Sequence, residues 1–240
     1  QLDDGMALLM RAAAALQAAG APLLLVGITN GIASLQTERE EFEQAIPAYE
    51  RAREIFERHG HMRGVSNCMA GLGTNLALMG RAEQGRTLLE SALKLREHMD
   101  DQYGIMACQV NLATACRLAG HGEQAVEWAR SAIAHSRKIG SRIGELYGGT
   151  ELGRALVEAG AHDEASQVLE STLRAASSYP VVVAECQDGL GDLAHAKGDL
   201  PNACQGWHGA AAAFRLAGQP RLASSVEAKL ALAGRPEPDL

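Results

Sequence analysis

Aromatic residues are scarce in this 240-residue chain, at 4%, and it holds only 7 prolines. Strands are built largely from aromatic and β-branched residues, so runs that would form a β-sheet are few. Alanine, leucine, glutamate, glutamine and arginine dominate instead, and these residues lose little on entering a helix. With 47% hydrophobic residues the chain can bury a core. The composition therefore predicts an all-α protein.

An excess of basic charge is also missing, because the formal net charge is −7. Nucleic-acid-binding domains usually have a basic face, so we expect no direct contact with DNA or RNA. The longest apolar run, Pro22 to Ile28, is far shorter than the roughly 20 residues that cross a bilayer, so we expect no membrane span. No signal-peptide pattern opens the chain. The five cysteines form no C-x-x-C pair, which favours reduced thiols and a cytoplasmic location.

Catalytic and metal-binding motifs are absent from the sequence. There is no nucleophile elbow, P-loop, zinc-protease motif or dinucleotide fingerprint. His59 and His61 lie close together, but a third ligand at a suitable spacing is missing. Gly71-Leu72-Gly73 resembles part of a glycine-rich loop but falls inside an expected helix. The sequence therefore predicts neither an enzyme nor a cofactor or metal site.

A repeat of about 40 residues organises the chain. Small residues recur at Ala45, Gly85, Ala125, Ala165 and Ala203, with spacings of 40, 40, 40 and 38. Each follows a turn, and a large residue stands four positions later in every unit except the one with Ala129. Small residues allow two helices to approach closely, and the large residue fills the space between neighbouring helix pairs. Repeated glycines, with Asp100 at one equivalent place and Glu40 at another, mark the helix ends.

The repeat predicts a single domain over residues 1–233, followed by a disordered tail at 234–240. A half repeat covers 3–19 and a capping helix covers 220–233. Between them lie five helix pairs, at 22–59, 62–99, 102–139, 142–178 and 180–217. The first helix lacks a partner, so we expect an exposed apolar edge there, and further residues before Gln1 in the natural protein. That edge invites pairing of two copies.

The units resemble tetratricopeptide repeats, with a bulky residue, Leu-Gly and then Ala-large-Ala in register, as in Met69, Leu72-Gly73, Gly85, Leu89 and Ala92. This resemblance implies a right-handed α-solenoid of stacked antiparallel helix pairs. Long-period arrays of this kind look like those of kinesin light chain and Leu-Gly-Asn adaptors. They also resemble the C-terminal arrays of large bacterial transcription activators of the Streptomyces antibiotic-regulatory and maltose-regulator types. Residues 49–56 and 81–84 look most like the activators.

The resemblance implies a partner-binding groove lined by the first helix of each pair. Its residues here are the following: Asn30, Ser34, Asn67, Thr74, Asn111, Thr114, Arg117, Tyr147, Glu151, Arg154, Glu185, Asp188 and Asp192. Thr150 occupies a related position. The early units are small and neutral, and the last unit is acidic. We therefore expect a protein or peptide partner, with a basic segment held by the acidic end.

Three functions fit these features. The first is the regulatory or partner-docking part of a larger bacterial transcription regulator. The second is a free-standing adaptor or scaffold, and the third is a receptor for a signal peptide or small ligand. The expected groove is common to all three.

Overall fold

The computed structural model describes residues 2–20 and 22–233, and those residues form twelve helices and no strand, which confirms the all-α class. In chain order the helices are α1 (Leu2–Ala18), α2 (Pro22–Glu38), α3 (Phe42–Arg58), α4 (Met62–Leu78), α5 (Ala82–His98), α6 (Gln102–Leu118), α7 (Gly122–Ile139), α8 (Arg142–Glu158), α9 (His162–Ala175), α10 (Pro180–Ala196), α11 (Leu200–Leu216) and α12 (Pro220–Ala233). The tail expected at 234–240 lies outside the described residues.

The helices divide into two compact units, residues 1–121 with α1 to α6 and residues 122–240 with α7 to α12. Within each unit, consecutive helices pack against one another. In the first unit α4 also contacts α2 and α6, so these three helices form one layer. In the second unit α8 contacts α10 in the same way. The expected single domain over 1–233 includes both units and stays a prediction.

Helix ends in both units share one capping geometry. After α4, the Gly80 backbone has φ +81° and the Arg81 N–H donates to the Leu76 carbonyl at 2.8 Å. That bond across five residues is the Schellman cap, which satisfies carbonyls that the helix leaves unpaired. Glu40 and Asp100 occupy the same left-handed position without being glycine, at φ 60° and 53°. Both lie where the repeat pattern places a glycine.

Small residues bring the two helices of a pair into backbone contact. A Cβ added to Gly85 would lie 2.4 Å from the Gly73 carbonyl oxygen, and one added to Gly73 would lie 2.8 Å from the Gly85 carbonyl oxygen. Neither distance is compatible with a side chain. Gly206 and Gly191 make the same approach between α10 and α11, where an added Cβ would lie 2.9 Å from a backbone atom. The recurring small residues therefore set how closely the pairs pack.

The change Gly85→Ala tests this packing. Alanine is the better helix former by about 1 kcal/mol, but its methyl group would meet the α4 backbone. We expect a net loss of about 1–3 kcal/mol, typical of overpacking, seen as a lower thermal midpoint by circular dichroism. The control is Gly122→Ala in α7, where an added Cβ has no neighbour within 4 Å, and which should leave the midpoint unchanged or raise it. Equal shifts in the two variants would contradict the interpretation.

Candidate functional site

The layer formed by α2, α4 and α6 leaves one stripe of each helix open to solvent. Ser34, Thr74 and Thr114 lie on these stripes at spacings of 40 residues, and each is exposed or half-buried. The repeat places them at equivalent positions of the three helices, so they form a row, the hydroxyl row. Asn67 is exposed about two turns before Thr74 on α4. The first unit thus carries a neutral, polar surface on one side of its layer.

The two threonines of the hydroxyl row have their donors already engaged. Thr74 Oγ1 donates to the Ala70 carbonyl at 2.9 Å, and Thr114 Oγ1 donates to the Val110 carbonyl at 3.3 Å. A hydroxyl has one hydrogen and two lone pairs, so the oxygens still accept hydrogen bonds. Burial raises the pKa of Tyr49, and the neighbouring hydroxyls of Thr37 and Ser34 oppose this rise. The threonines of the row therefore offer acceptors to a partner.

In two asparagines the acceptor is engaged and not the donor. Asn30 Oδ1 accepts from the Cys68 thiol at 3.3 Å, and Asn67 Oδ1 accepts from the Arg96 guanidinium at 2.9 Å. Both contacts use the carbonyl side of the amide and orient the side chain. The Nδ2 groups are donors, with two hydrogens each. Beside the hydroxyl row, these asparagines therefore supply donors.

Not every residue expected in the first unit is open to a partner. Asn111 is half-buried on α6, whereas Arg117 is only 8% exposed and takes part in an interaction inside the protein. Arg117 is therefore no free cation on this surface. Asn75, which the sequence analysis did not single out, is fully buried and donates to Thr37 Oγ1 and the Gly71 carbonyl, both at 2.8 Å.

Asn75 ties α4 to α2. One feature of the sequence indicates this role: Asn75 is polar, whereas the equivalent positions of the next two units hold Ala115 and Ala155.

In the second unit the expected residues differ in exposure. Tyr147 and Arg154 on α8 and Glu185 and Asp192 on α10 are half-buried. Glu151 is 6% exposed, Asp188 is 4% exposed, and Thr150 is fully buried with its hydroxyl bonded to the Leu146 carbonyl. The side chains on this surface are larger and more often charged than those on the polar surface of the first unit.

Lys229 of α12 neutralises the acidic end of α10. Its Nζ donates to Asp188 Oδ1 at 2.7 Å and to the two Asp192 oxygens at 2.7 and 2.8 Å. Arg154 lies 3.6 Å from Asp188 Oδ2, and Trp207 Nε1 donates to Asp192 Oδ1 at 2.9 Å. The carboxylates expected to attract a basic partner therefore have their charge matched within the unit. Sequence reasoning missed Lys229, since 37 residues separate it from Asp192.

The cysteines pack in the core. Cys68, Cys108, Cys116 and Cys186 are fully buried, and Cys204 is half-buried. Burial raises the pKa of Cys68 to about 12 and the pKa values of Cys116 and Cys186 to about 11, and it also raises the pKa of Cys108. The thiolate is the reactive form, so these four thiols are inert near neutral pH.

Histidines at the helix ends have structural contacts. His61 Nδ1 accepts from the Gly64 N–H at 3.0 Å, which caps α4, and its ring stacks on Phe56 with centroids 5.0 Å apart. His121 pairs with Glu83, and this contact lowers the pKa of Glu83. Over residues 2–20 and 22–233, no three side chains of histidine, cysteine, aspartate or glutamate are grouped as a metal site would need.

No helix in the described part of the chain has the length and apolar character needed to span a membrane.

Comparison with known proteins gives a family match over part of the chain and a fold. The tetratricopeptide repeat family model matches residues 24–97 and 65–138. No curated protein matches the chain at a significant level of sequence similarity. The solved structures described next are all less than 25% identical to this chain, so they bear on its fold.

A Rap protein complexed with competence and sporulation factor has a TM-score of 0.72 and 15% identity over 95% of this chain and 68% of its own. The Rap conjugation gene regulator of plasmid pLS20, in complex with the Phr* peptide, has a TM-score of 0.68 and 17% identity over 97% of this chain and 72% of its own. A putative kinesin light chain from Podosopora anserina has a TM-score of 0.55 and 18% identity over 84% of this chain and 94% of its own.

The buried thiols predict a simple labelling pattern. With a thiol-reactive disulfide reagent at pH 8, we expect only Cys204 to react in the native protein and all five cysteines to react after denaturation. The variant Cys204→Ser should abolish the native reaction. Two or more native thiols reacting at the rate of an unfolded peptide would contradict the burial.

The same thiols predict a dependence of stability on alkaline pH. Their pKa values are higher in the folded chain than the ordinary 9.0, so the unfolded chain ionises first as pH rises. The stability they contribute is complete below pH 9 and is lost as the pH rises from 9 towards 12. We expect the urea midpoint to fall over this range, and to fall less in Cys68→Ala. Equal slopes in the two proteins would contradict this.

Lys229→Met tests the charge network of the second unit. Asp188 is buried, so loss of its closest cation should lower the free energy of unfolding by about 1–3 kcal/mol, less than for a fully buried pair because Lys229 is partly exposed. Urea unfolding followed by circular dichroism measures the loss. Lys197→Met, an exposed lysine on the same unit, should change little. Similar losses in both variants would show that the network does not stabilise α12.

Proposed function

Because the chain carries a tetratricopeptide repeat domain, we propose that it is a protein- or peptide-binding module whose first unit holds an extended segment of its partner. The observation that supports this most is the division of roles among the polar side chains of the α2, α4 and α6 layer. Asn30 and Asn67 have their carbonyl oxygens engaged, and Thr74 and Thr114 have their hydroxyl hydrogens engaged. The asparagines therefore offer N–H donors to a partner, and the threonines beside them offer oxygen acceptors.

That combination suits a peptide backbone. An extended segment presents N–H donors and C=O acceptors in alternation, and each needs a partner when it is removed from water. The asparagine Nδ2 groups match the carbonyls, and the threonine oxygens match the N–H groups. Since Asn67 is fixed by Arg96 and the threonines by their own helices, little side-chain entropy is lost on binding. Recognition would then depend on the backbone more than on charge.

The charged surface of the second unit plays a different part in this proposal. Asp188 and Asp192 are already paired with Lys229. These two carboxylates are therefore not free to attract a basic segment of a partner. Tyr147, Arg154 and Glu185 are half-buried and present mixed chemistry. The proposal therefore includes no preference for a basic partner.

We also propose that the module is the regulatory or docking part of a larger bacterial transcription regulator. Residues 49–56 and 81–84 resemble the arrays of such activators. One solved structure of the same fold is described as a conjugation gene regulator in complex with a peptide. A role in binding without catalysis is part of this proposal. An adaptor or a signal-peptide receptor would use the same surface, and the experiment below does not depend on which of them is right.

The test is selection from a random peptide library displayed on phage, with affinities of the selected peptides measured by fluorescence polarisation. We expect Asn67→Ala combined with Thr74→Val to weaken binding about tenfold or more, since each lost hydrogen bond contributes about 0.5–1.5 kcal/mol. Affinity should change little between low and high salt, because the contacts are neutral. Glu54→Ala, on the exposed face of α3, is the matched control.

Two results would count against the proposal. One is the absence of any enriched peptide. The other is a peptide whose affinity is the same for the double variant as for the unaltered protein, because that peptide would bind elsewhere.

A further inference from the structure

Arg96 of α5 is a buried cation in the first unit. Only 6% of its surface is exposed, and its side chain extends towards the N-terminal halves of α4 and α6. Nη2 donates to Asn67 Oδ1 at 2.9 Å, and a Cβ added to Gly104 would lie 2.6 Å from Nη1. The guanidinium therefore lies between α4 and α6, beneath the surface that carries Asn67.

The position of Arg96 is uncharged in the neighbouring repeats. Its counterparts, 40 residues apart along the chain, are all buried: Phe56, Ser136 and Ala176. Phe56 lies against Gly64 as Arg96 lies against Gly104, since a Cβ added to Gly64 would lie 2.5 Å from the Phe56 ring. An apolar side chain therefore fits this position, and packing alone does not explain an arginine.

The guanidinium has more donors than partners. It carries five N–H groups and stays positively charged. Among the described residues, the bond to Asn67 is the only one that it forms, and Nε is sealed from solvent without an acceptor. Asp101 also lies beside Gly104, but its Oδ1 accepts from the Gly104 N–H at 3.2 Å and caps α6. No carboxylate in the described part of the chain lies within ion-pair distance of Arg96, and a buried charge without a counter-ion is costly.

The open part of the guanidinium faces the polar surface of the first unit. Asn67, which holds Nη2, is exposed, and its own Nδ2 is a donor. Nη1 has no acceptor among the described residues and, unlike Nε, is not sealed from solvent. A charged donor and a neutral donor therefore lie side by side where a partner would bind.

We infer that Asn67 and Arg96 together bind the carboxylate of an aspartate or glutamate side chain in the partner segment. This inference rests on the proposed function, because it names one residue of the segment that the first unit holds. A carboxylate supplies the negative charge that Arg96 lacks. Its two oxygens can accept from two neighbouring donors at once, and such charge-assisted bonds are roughly twice as strong as neutral ones.

A side chain is favoured over the C-terminal carboxylate of the partner. Asn30 on α2 and Thr114 on α6 lie on either side of α4, so the polar surface continues past Asn67 in both directions. A segment that uses this surface therefore passes over Asn67 instead of ending there. The contact should also be insensitive to salt, since Arg96 is almost fully buried and buried pairs are screened much less than exposed ones.

The experiment is a double-mutant cycle between peptide and protein. Peptides selected on the unaltered protein should be enriched in aspartate or glutamate at one position. Each is compared with its asparagine or glutamine analogue by fluorescence polarisation. We expect the amide to bind about tenfold more weakly to the unaltered protein, and less than about twofold more weakly to Arg96→Phe.

The variant Arg96→Phe is chosen because Phe56 occupies the equivalent position against Gly64. Circular dichroism checks its fold, and Arg96→Met is a second variant with a flexible apolar side chain. The matched control is Arg63→Gln, which removes an exposed arginine from the first turn of α4 and should keep the full preference for the acidic peptide. Peptides with a free and an amidated C-terminus should bind equally.

Three results would overturn the inference. The first is equal affinity of the unaltered protein for the acidic peptide and its amide, and the second is a preference that persists in both Arg96 variants. The third is a loss of binding on amidation of the C-terminus, which would place the chain end at Arg96. Peptides that depend on Asn67 and Thr74 but show no acidic preference contradict this inference alone, whereas the absence of any selected peptide contradicts the proposed function as well.

Discussion

The close approach of helix backbones within each pair is the constraint on which the other features depend. Between α4 and α5, Gly73 and Gly85 leave no room for a Cβ atom. Helices this close bury the large residue of the motif between consecutive pairs, as Leu169 shows between α8 and α10. The same packing keeps α2, α4 and α6 in one layer with one stripe open to solvent. The polar surface of the first unit therefore follows from the spacing of small residues.

Side-chain bonds between neighbouring helices of the α2, α4 and α6 layer give that surface its chemistry. The Cys68 thiol donates to Asn30, and Asn75 donates to Thr37, each across 38 residues of sequence. These bonds cross from one repeat to the next and decide which atoms of each side chain remain for a partner. A thiol at this position thus packs in the core and also orients an asparagine near the surface. The raised pKa of Cys68 is consistent with a thiol that stays protonated and donates.

The second unit illustrates how a charge pattern can mislead. Asp188 and Asp192 share one face of α10, and in the sequence they predict an acidic surface. In the folded chain Lys229 lies between them, and Trp207 donates to Asp192. The carboxylates therefore fasten α12 to α10. Buried carboxylates are stable only when they are paired, and the low exposure of Asp188 makes an internal cation the expected solution.

Much of this protein could be predicted from the order of its residues. The all-α class follows from the helix-forming residues. The tetratricopeptide repeat follows from small residues recurring at a fixed spacing, as at Ala45, Gly85 and Ala125. Both can be read from sequence because the size of the residue at each contact decides how closely the two helices of a pair approach. The turns at Glu40 and Asp100 follow from the same register.

The tertiary structure decided which polar groups are free. Arg117 is buried, Lys229 cancels the charge of the last acidic pair, and Asn67 is held by Arg96. Each of these outcomes depends on side chains that are distant in sequence and meet only after the helices pack. A repeat pattern fixes the positions of backbones, whereas hydrogen bonds and ion pairs between repeats depend on side chains that vary from one repeat to the next.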